Sequence, residues 1–298
     1  MNLVLYHAQS EIPEYTLICI QQFHKIAPEI PIYLITDRSL MDCPLYVTLI
    51  ATSILRKESA LIRSLEGCDY FRTDDYCQFP WGEKYRRLFR TSLFRFAYIH
   101  KLMREKELTD VLHFDNDVLV YENPLKYVKT FQKYDKLAVT PQSDSEICFG
   151  FSYVRDVKTL EKAILPLYDE VMKFSGCDLS ILNCSKDNPE CPNEMQLFNH
   201  QDIDFLPVLP MGEERFCRHY AEFNSVFDCS SYGQYLGGAS VKDTKPGFLH
   251  PSRMIDSQIS SGNIEVEFEN GRPWVIFGGK KISINNLHIA SKRLKDFV

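Results

Sequence analysis

His113-Phe114-Asp115-Asn116-Asp117-Val118-Leu119-Val120 reads as an apolar strand that runs into two carboxylates and out into a second apolar run. With Val111-Leu112 in front, the strand spans Val111 to Phe114 and ends at Asp115-Asn116-Asp117. An unbroken apolar run of this kind suits a strand covered on both faces, as in a parallel sheet between helices. In an open α/β sheet, ligands bind outside the carboxyl ends of the strands. Aspartates placed there are costly unless a cation or a proton compensates them. Oxygen ligands attract a hard divalent ion, Mg²⁺ or Mn²⁺. Such an ion can bridge the two phosphates of a nucleotide diphosphate and stabilise it as a leaving group.

The flanking sequence alternates in the same style. Leu3 to Tyr6, Ile32 to Ile35 and Tyr46 to Ile50 are short apolar runs. Between the first two, Pro13 opens a helix with Tyr15, Cys19, Phe23 and Ile26 at helical spacing, broken by Pro28 and Pro31. The stretch from Ala51 to Trp81 reads as one helix and a loop. A longer helix follows, with Phe89, Leu93, Phe96, Ala97, His100 and Met103 on one face. Downstream, Asn123-Pro124 fits a helix start. Leu137 to Thr140 and Cys148 to Val154 read as strands, and Leu160, Ile164, Leu167, Tyr168 and Val171 form a helical stripe. Gly176 to Pro192 is loop-rich, Asn193 to His200 fits a short helix, and Ile203 to Leu209 a strand. The final third is irregular, with a hairpin from Ile264 to Phe277. The class expected is α/β, a mainly parallel sheet between helices.

Composition narrows the functions. The chain has 298 residues, 45% hydrophobic and 25% charged, which is ordinary for a globular protein. Its net charge of -6 disfavours duplex nucleic acid as a partner. The one dense basic run, Lys84 to Arg95, suits a small phosphorylated ligand better. No stretch approaches the roughly 20 apolar residues that span a bilayer, so no transmembrane segment is expected. The first residues lack the basic start of a secretory signal, which together with scattered cysteines points to the cytoplasm. The 10 cysteines read as small buried hydrophobes, with Cys177, Cys184 and Cys191 as a minor metal candidate.

Asp115-Asn116-Asp117, in this setting of apolar strand, Val-Leu-Val and Asn-Pro, resembles the D-x-D motif of metal-dependent GT-A glycosyltransferases. Glycogenin and the family 8 glycosyltransferases show similar surroundings. The resemblance implies a GT-A fold in a single domain over 1–298. Residues 1–120 would form the nucleotide-binding half, and 121–298 the acceptor half with a C-terminal extension that closes over the donor. It implies sugar transfer from a nucleotide-diphosphate donor, a UDP-sugar, to a glycan or glycoconjugate hydroxyl. Asp115 and Asp117 would be metal ligands, with Asn116 between them at the donor. The C-terminal His288 and Lys292 resemble the family's last metal ligand and its diphosphate-binding lysine, although the usual Gly and Pro-Trp nearby are absent. A neutral imidazole can ligate a metal, and a lysine supplies a point charge for phosphate.

The same resemblance places further candidates. Arg90 and Arg95, on the helix before the motif, would support the acidic pair or the diphosphate. Tyr6, His7 and Ala8, at the end of the first strand, and Asp37, after the second, would meet the donor base and ribose. Phe149-Gly150-Phe151 resembles an acceptor-side strand whose small residue lets the sugar approach. Glu194, where the family often has Asp-Gln, would serve as general base or orient the sugar. Phe227 to Gly238 resembles a stretch of capsule- and surface-glycan transferases from bacteria and large viruses, with Asp228 and Gln234 facing the sugar. Two other classes remain open. One is a haloacid-dehalogenase-like phosphatase with Asp115 as nucleophile and Asp117 as acid/base. The other is a non-catalytic module of the same fold that binds nucleotide or glycan.

Overall fold

In the computed structural model, described for residues 1–7, 12–37, 43–67, 82–174 and 201–298, the apolar runs become a seven-stranded sheet. Strand β1 (Asn2–His7) is followed by helix α1 (Glu14–Ile26). Pro13 stands just before the helix in an extended conformation, and Glu14 in the first turn with His24 and Lys25 in the last complements the helix dipole. Cys19, Ile20 and Phe23 are the buried face of α1. Strands β2 (Ile32–Thr36) and β3 (Val47–Ala51) then extend the sheet in parallel, with Leu3 beside Ile32 and Ile32 beside Val47. Where one helix was expected after Ala51, there are two, α2 (Thr52–Glu58) and α3 (Ala60–Gly67). The break falls at Ser59, whose hydroxyl accepts the Ile62 N–H at 3.2 Å and caps the second helix.

Helix α4 (Gly82–Lys106) buries Leu93, Phe96, Ala97, Ile99 and Met103 and leads to β4 (Val111–Phe114), which pairs in parallel with β1. Asn123 accepts the Leu125 N–H at 3.0 Å, but only a 3-10 turn (Pro124–Tyr127) and one helical turn (Val128–Phe131) follow. Strand β6 (Leu137–Pro141) and strand β7 (Ile147–Val154) come next, then helix α5 (Val157–Phe174) and strand β8 (Ile203–Phe205). The order is β3-β2-β1-β4-β7-β6-β8, and β7 runs antiparallel to both its neighbours. The sheet is therefore mixed, and helices flank it.

The final third is more regular than its composition suggests. Strands β9 (Ser225–Val226), β10 (Glu265–Glu269), β11 (Arg272–Phe277) and β12 (Lys280–Ile284) make a second sheet in the order β10-β11-β12-β9. Helices α6 (Ser231–Gly237) and α7 (Met254–Ser260) lie between its first two strands in sequence. The last strand, β13 (Asn286–His288), leaves that sheet and pairs antiparallel with β5 (Val118–Val120), just after the acidic motif. On β5, Val120 also exchanges main-chain bonds with the buried Gln22 amide of α1, donating to Oε1 at 3.1 Å and accepting from Nε2. The Tyr121 hydroxyl donates to the Phe297 carbonyl at 2.8 Å and ties down the tail. No helix among the described residues is long and apolar enough to cross a membrane. No disulfide occurs among them, and Cys19, Cys148 and Cys229 are buried free thiols.

Candidate metal centre

At the end of β4 the chain turns: the Val118 N–H donates to the Asp115 carbonyl at 3.1 Å. The turn carries Asp115 and Asp117 out of the sheet. The β5–β13 ladder then determines what meets them. Its register sets His288 beside Val118, and the Ile289 N–H donates to the Asp117 carbonyl at 2.9 Å. As a result one ligand atom each from Asp115, Asp117 and His288 lies within 4.8 Å of the others. His288 Nε2 is 3.3 Å from Asp117 Oδ2 and 3.8 Å from Asp115 Oδ2. Lys292, 175 positions beyond Asp117, places its ammonium on the same Asp117 oxygen and over the Tyr15 ring. Lys292 holds a left-handed backbone, φ 63°, unusual for a long side chain and maintained by these anchors.

Three basic groups, Arg95, His288 and Lys292, face the two carboxylates. Arg95, buried between the rings of Phe96 and Phe149, pairs with Asp115 Oδ1. Burial alone would raise the Asp117 carboxyl, but the charges of His288 and Lys292 and their hydrogen bonds hold it far below the usual carboxylate range. Conversely, burial would lower His288, yet Asp117 raises it well above an ordinary histidine. Lys292 is likewise raised by Asp117 against the effect of burial. An ammonium on Asp117 Oδ2 is a stand-in for a cation at that oxygen. Two carboxylates and one imidazole fit a divalent ion such as Mn²⁺ or Mg²⁺, with positions left for ligand oxygens.

The ring of His288 is gripped closely. A Cβ on Gly150 would fall 2.5 Å from His288 Nδ1, and one on Gly233 would collide with the His288 carbonyl. Cys148 Sγ is 3.9 Å from Nδ1. The small residue of β7 thus makes room for an imidazole. A glycine inside an apolar strand signals close approach in the sequence, although not by what.

Of the other expected site residues, Asn116 joins the centre to β1: Nδ2 donates to the Tyr6 carbonyl at 3.0 Å and to His7 Nδ1 at 3.1 Å. Its Oδ1 is buried with no hydrogen-bond partner among the described residues. Tyr6 is buried and stacks on Tyr98 at 5.3 Å. Asp37 is exposed and accepts from the Thr52 hydroxyl. Gln234 donates to Ser230 Oγ at 3.0 Å and accepts from Arg253 at 2.8 Å. Asp228 is fully buried, and its oxygens accept the N–H groups of Tyr232, Gly233 and His288, each at 2.9 Å. Burial pushes its carboxyl up to about 6, against the lowering effect of those amides and of the His288 charge. A carboxylate so enclosed holds the backbone of Tyr232, Gly233 and His288 in place. Ala8, Glu194 and the cysteines 177, 184 and 191 lie outside the described residues, and Arg90 sits on α4 with its side chain likewise outside them.

No protein-family model matches the chain, and no curated protein matches it in sequence. Among solved structures, mouse xyloside xylosyltransferase 1 in its apo form aligns with 57% of this chain and 70% of its own, at 12% identity and a TM-score of 0.39. The galactosyltransferase LgtC in complex with donor and acceptor sugar analogs aligns with 70% of this chain and 73% of its own, at 10% identity and a TM-score of 0.39. The PaToxG glycosyltransferase aligns over 58% and 61%, at 9% identity and a TM-score of 0.36. All three of these solved structures are glycosyltransferases.

Proposed function

We propose that this protein is a metal-dependent glycosyltransferase of the GT-A type. It moves a sugar from a nucleotide-diphosphate donor, a UDP-sugar, to a hydroxyl of a glycan or glycoconjugate. The observation that carries this reading is the convergence of Asp115, Asp117 and His288 with the Lys292 ammonium at the carboxyl end of β4. Asp115, Asp117 and His288 would hold Mn²⁺ or Mg²⁺. When bound, the ion supplies positive charge against a departing diphosphate. Lys292, which pairs with Asp117 and lies over the Tyr15 ring, would supply a point charge to the same diphosphate. Arg95 fixes the Asp115 carboxylate from behind and is a positioning residue.

Around this centre the chain's own groups divide the remaining tasks. Asn116, whose amide ties the acidic turn to Tyr6 and His7 on β1, would lie at the donor. His7 at the end of β1, Ala8 next in sequence and Asp37 after β2 would contact the nucleoside, with Tyr6 held by its stacking on Tyr98. Asp228 contributes by holding the His288 backbone, so acceptor contacts fall to Glu194 and Gln234. The ligand set draws on both 1–120 and 121–298, so the C-terminal segment completes a centre begun by the nucleotide-binding half. Free buried thiols suit a cytoplasmic protein.

The test is a donor-hydrolysis screen across nucleotide sugars with Mn²⁺, on wild type and Asp117→Ala. Turnover and Mn²⁺-dependent UDP binding are expected in wild type, and at least a hundredfold loss of both, on the order of 3 kcal/mol, in the variant. Unchanged turnover would remove Asp117 from the chemistry. Phosphate release from sugar phosphates through a covalent Asp115 adduct would make the protein a phosphatase. Metal-independent glycan binding without turnover would make it a binding module.

A further inference from the structure

His288 turns Nε2 toward two carboxylates, and its other ring nitrogen faces a sulfur. A histidine that ligates through Nε2 must present the lone pair there, so its proton sits on Nδ1. A buried N–H needs an acceptor, and metal-bound histidines ordinarily hand that proton to a carboxylate, a carbonyl or water. Here Cys148 Sγ lies 3.9 Å from Nδ1. The same sulfur accepts the Gly150 N–H at 3.2 Å, which fixes its position on β7. A Cβ on Gly150 would fall 2.5 Å from Nδ1 and 3.1 Å from Sγ, so the strand has only hydrogen where the ring and the sulfur meet. From the other end of the residue, Asp228 holds the His288 backbone N–H at 2.9 Å.

We infer that Cys148 is a positioning residue of the metal centre: its sulfur accepts the Nδ1 proton of His288 and keeps Nε2 directed at Asp115 and Asp117. This rests on the metal-binding reading of the site. The role uses the thiol as a weak, polarisable acceptor and requires no change in its oxidation state. It also accounts for glycine at 150, where any side chain would drive the ring from the sulfur.

The experiment is Mn²⁺ titration, followed by the loss of its free-ion EPR signal, of wild type, Cys148→Ala, Cys148→Ser and Gly150→Ala. Cys148→Ala is expected to weaken Mn²⁺ binding about tenfold, in line with the loss of other outer partners of metal-bound histidines. Cys148→Ser retains an acceptor and is expected to bind more tightly than Cys148→Ala. Gly150→Ala is expected to weaken binding at least as much as Cys148→Ala. A purely packing role for Cys148 gives the opposite order, because a hydroxyl buried without a bond costs more than a methyl. Equal affinity of Cys148→Ala and wild type, or a serine variant no better than alanine, would overturn the inference. Should the variants fail to fold, the wild-type protein with Mg²⁺ decides. The His288 Nδ1–H, observed by ¹⁵N-edited NMR and assigned by its loss in His288→Gln, is expected to exchange slowly with water. Rapid exchange would overturn the role. Absence of Mn²⁺ binding by wild type would instead overturn the metal-binding reading itself.

Discussion

His113 sits one residue before the acidic turn and is closed off from water. Its Nδ1 lies 2.8 Å from the Val4 carbonyl, so Nδ1 carries the proton, and Nε2 is buried with no hydrogen-bond partner among the described residues. Burial, helped by the Arg95 charge and opposed by Asp115, lowers its pKa from 6.5 to about 4. The folded protein thus holds a neutral imidazole where the unfolded chain holds an ordinary one. Above pH 6.5 both are neutral and the group adds no pH dependence. As pH falls from 6.5 toward 4 the unfolded chain takes up the proton first, and stability is lost. The full loss is about 3 kcal/mol at roughly 1.4 kcal/mol per unit. Denaturant titrations of the metal-free protein at pH 7 and pH 4.5 check this. Wild type should lose on the order of 2–3 kcal/mol more than His113→Phe over that range. An equal loss in both would show that His113 does not titrate as described.

Strand β5 is only three residues long, yet it seats the C-terminal strand. One edge is closed by β13, and at Val120 the Gln22 amide supplies both a donor and an acceptor. Gln22→Leu leaves a buried N–H and C=O unpaired, each worth about 1–3 kcal/mol. It should lower stability by about 2–4 kcal/mol in urea and weaken Mn²⁺ binding as well, because His288 rides on the strand that β5 holds. A loss of stability with Mn²⁺ affinity untouched would uncouple the ladder from the site. The local elements were legible where apolar runs and breakers alternate: β1, β2, β4, α1 and α5 follow their patterns. Direction was not, since the run Cys148 to Val154 reads the same whether β7 is parallel or antiparallel. Nor were β12 and β13. Their pairing joins Ser283 to Ser225 and His288 to Val118, long-range partners that no local spacing encodes. The acidic pair was visible as carboxylates at a strand end. The cradle of Gly150, Gly233 and Cys148 was not, because its meaning depends on where the His288 ring lands. Asp228 stands out in sequence within Phe227 to Gly238, whereas its burial under three amides, which anchors the His288 backbone, depends on the fold.

Across the whole molecule, the centre joins the turn after β4 to the last strand, which returns from the second sheet. Arg95 on α4 pairs with Asp115, and Lys292 pairs with Asp117 and lies over the ring of Tyr15 on α1. A cation bound there cross-links distant parts of the chain, so binding should stabilise the fold as a whole. At an Mn²⁺ concentration 100 times its dissociation constant the gain is about 2.7 kcal/mol. For a chain of this size that corresponds to a rise in melting temperature of a few degrees, on the order of 5 °C, reversed by chelator and absent in Asp117→Ala. Identical melting with and without Mn²⁺ would mean that the metal does not bind the folded chain preferentially. The identity of the ligands is open to a more direct reading. In pulsed EPR of Mn²⁺ bound to protein labelled with ¹⁵N only in histidine, a single directly coordinated imidazole nitrogen is expected in wild type and none in His288→Gln. Mn²⁺ that binds wild type without nitrogen coupling, or with coupling that survives His288→Gln, would contradict a centre built from Asp115, Asp117 and His288.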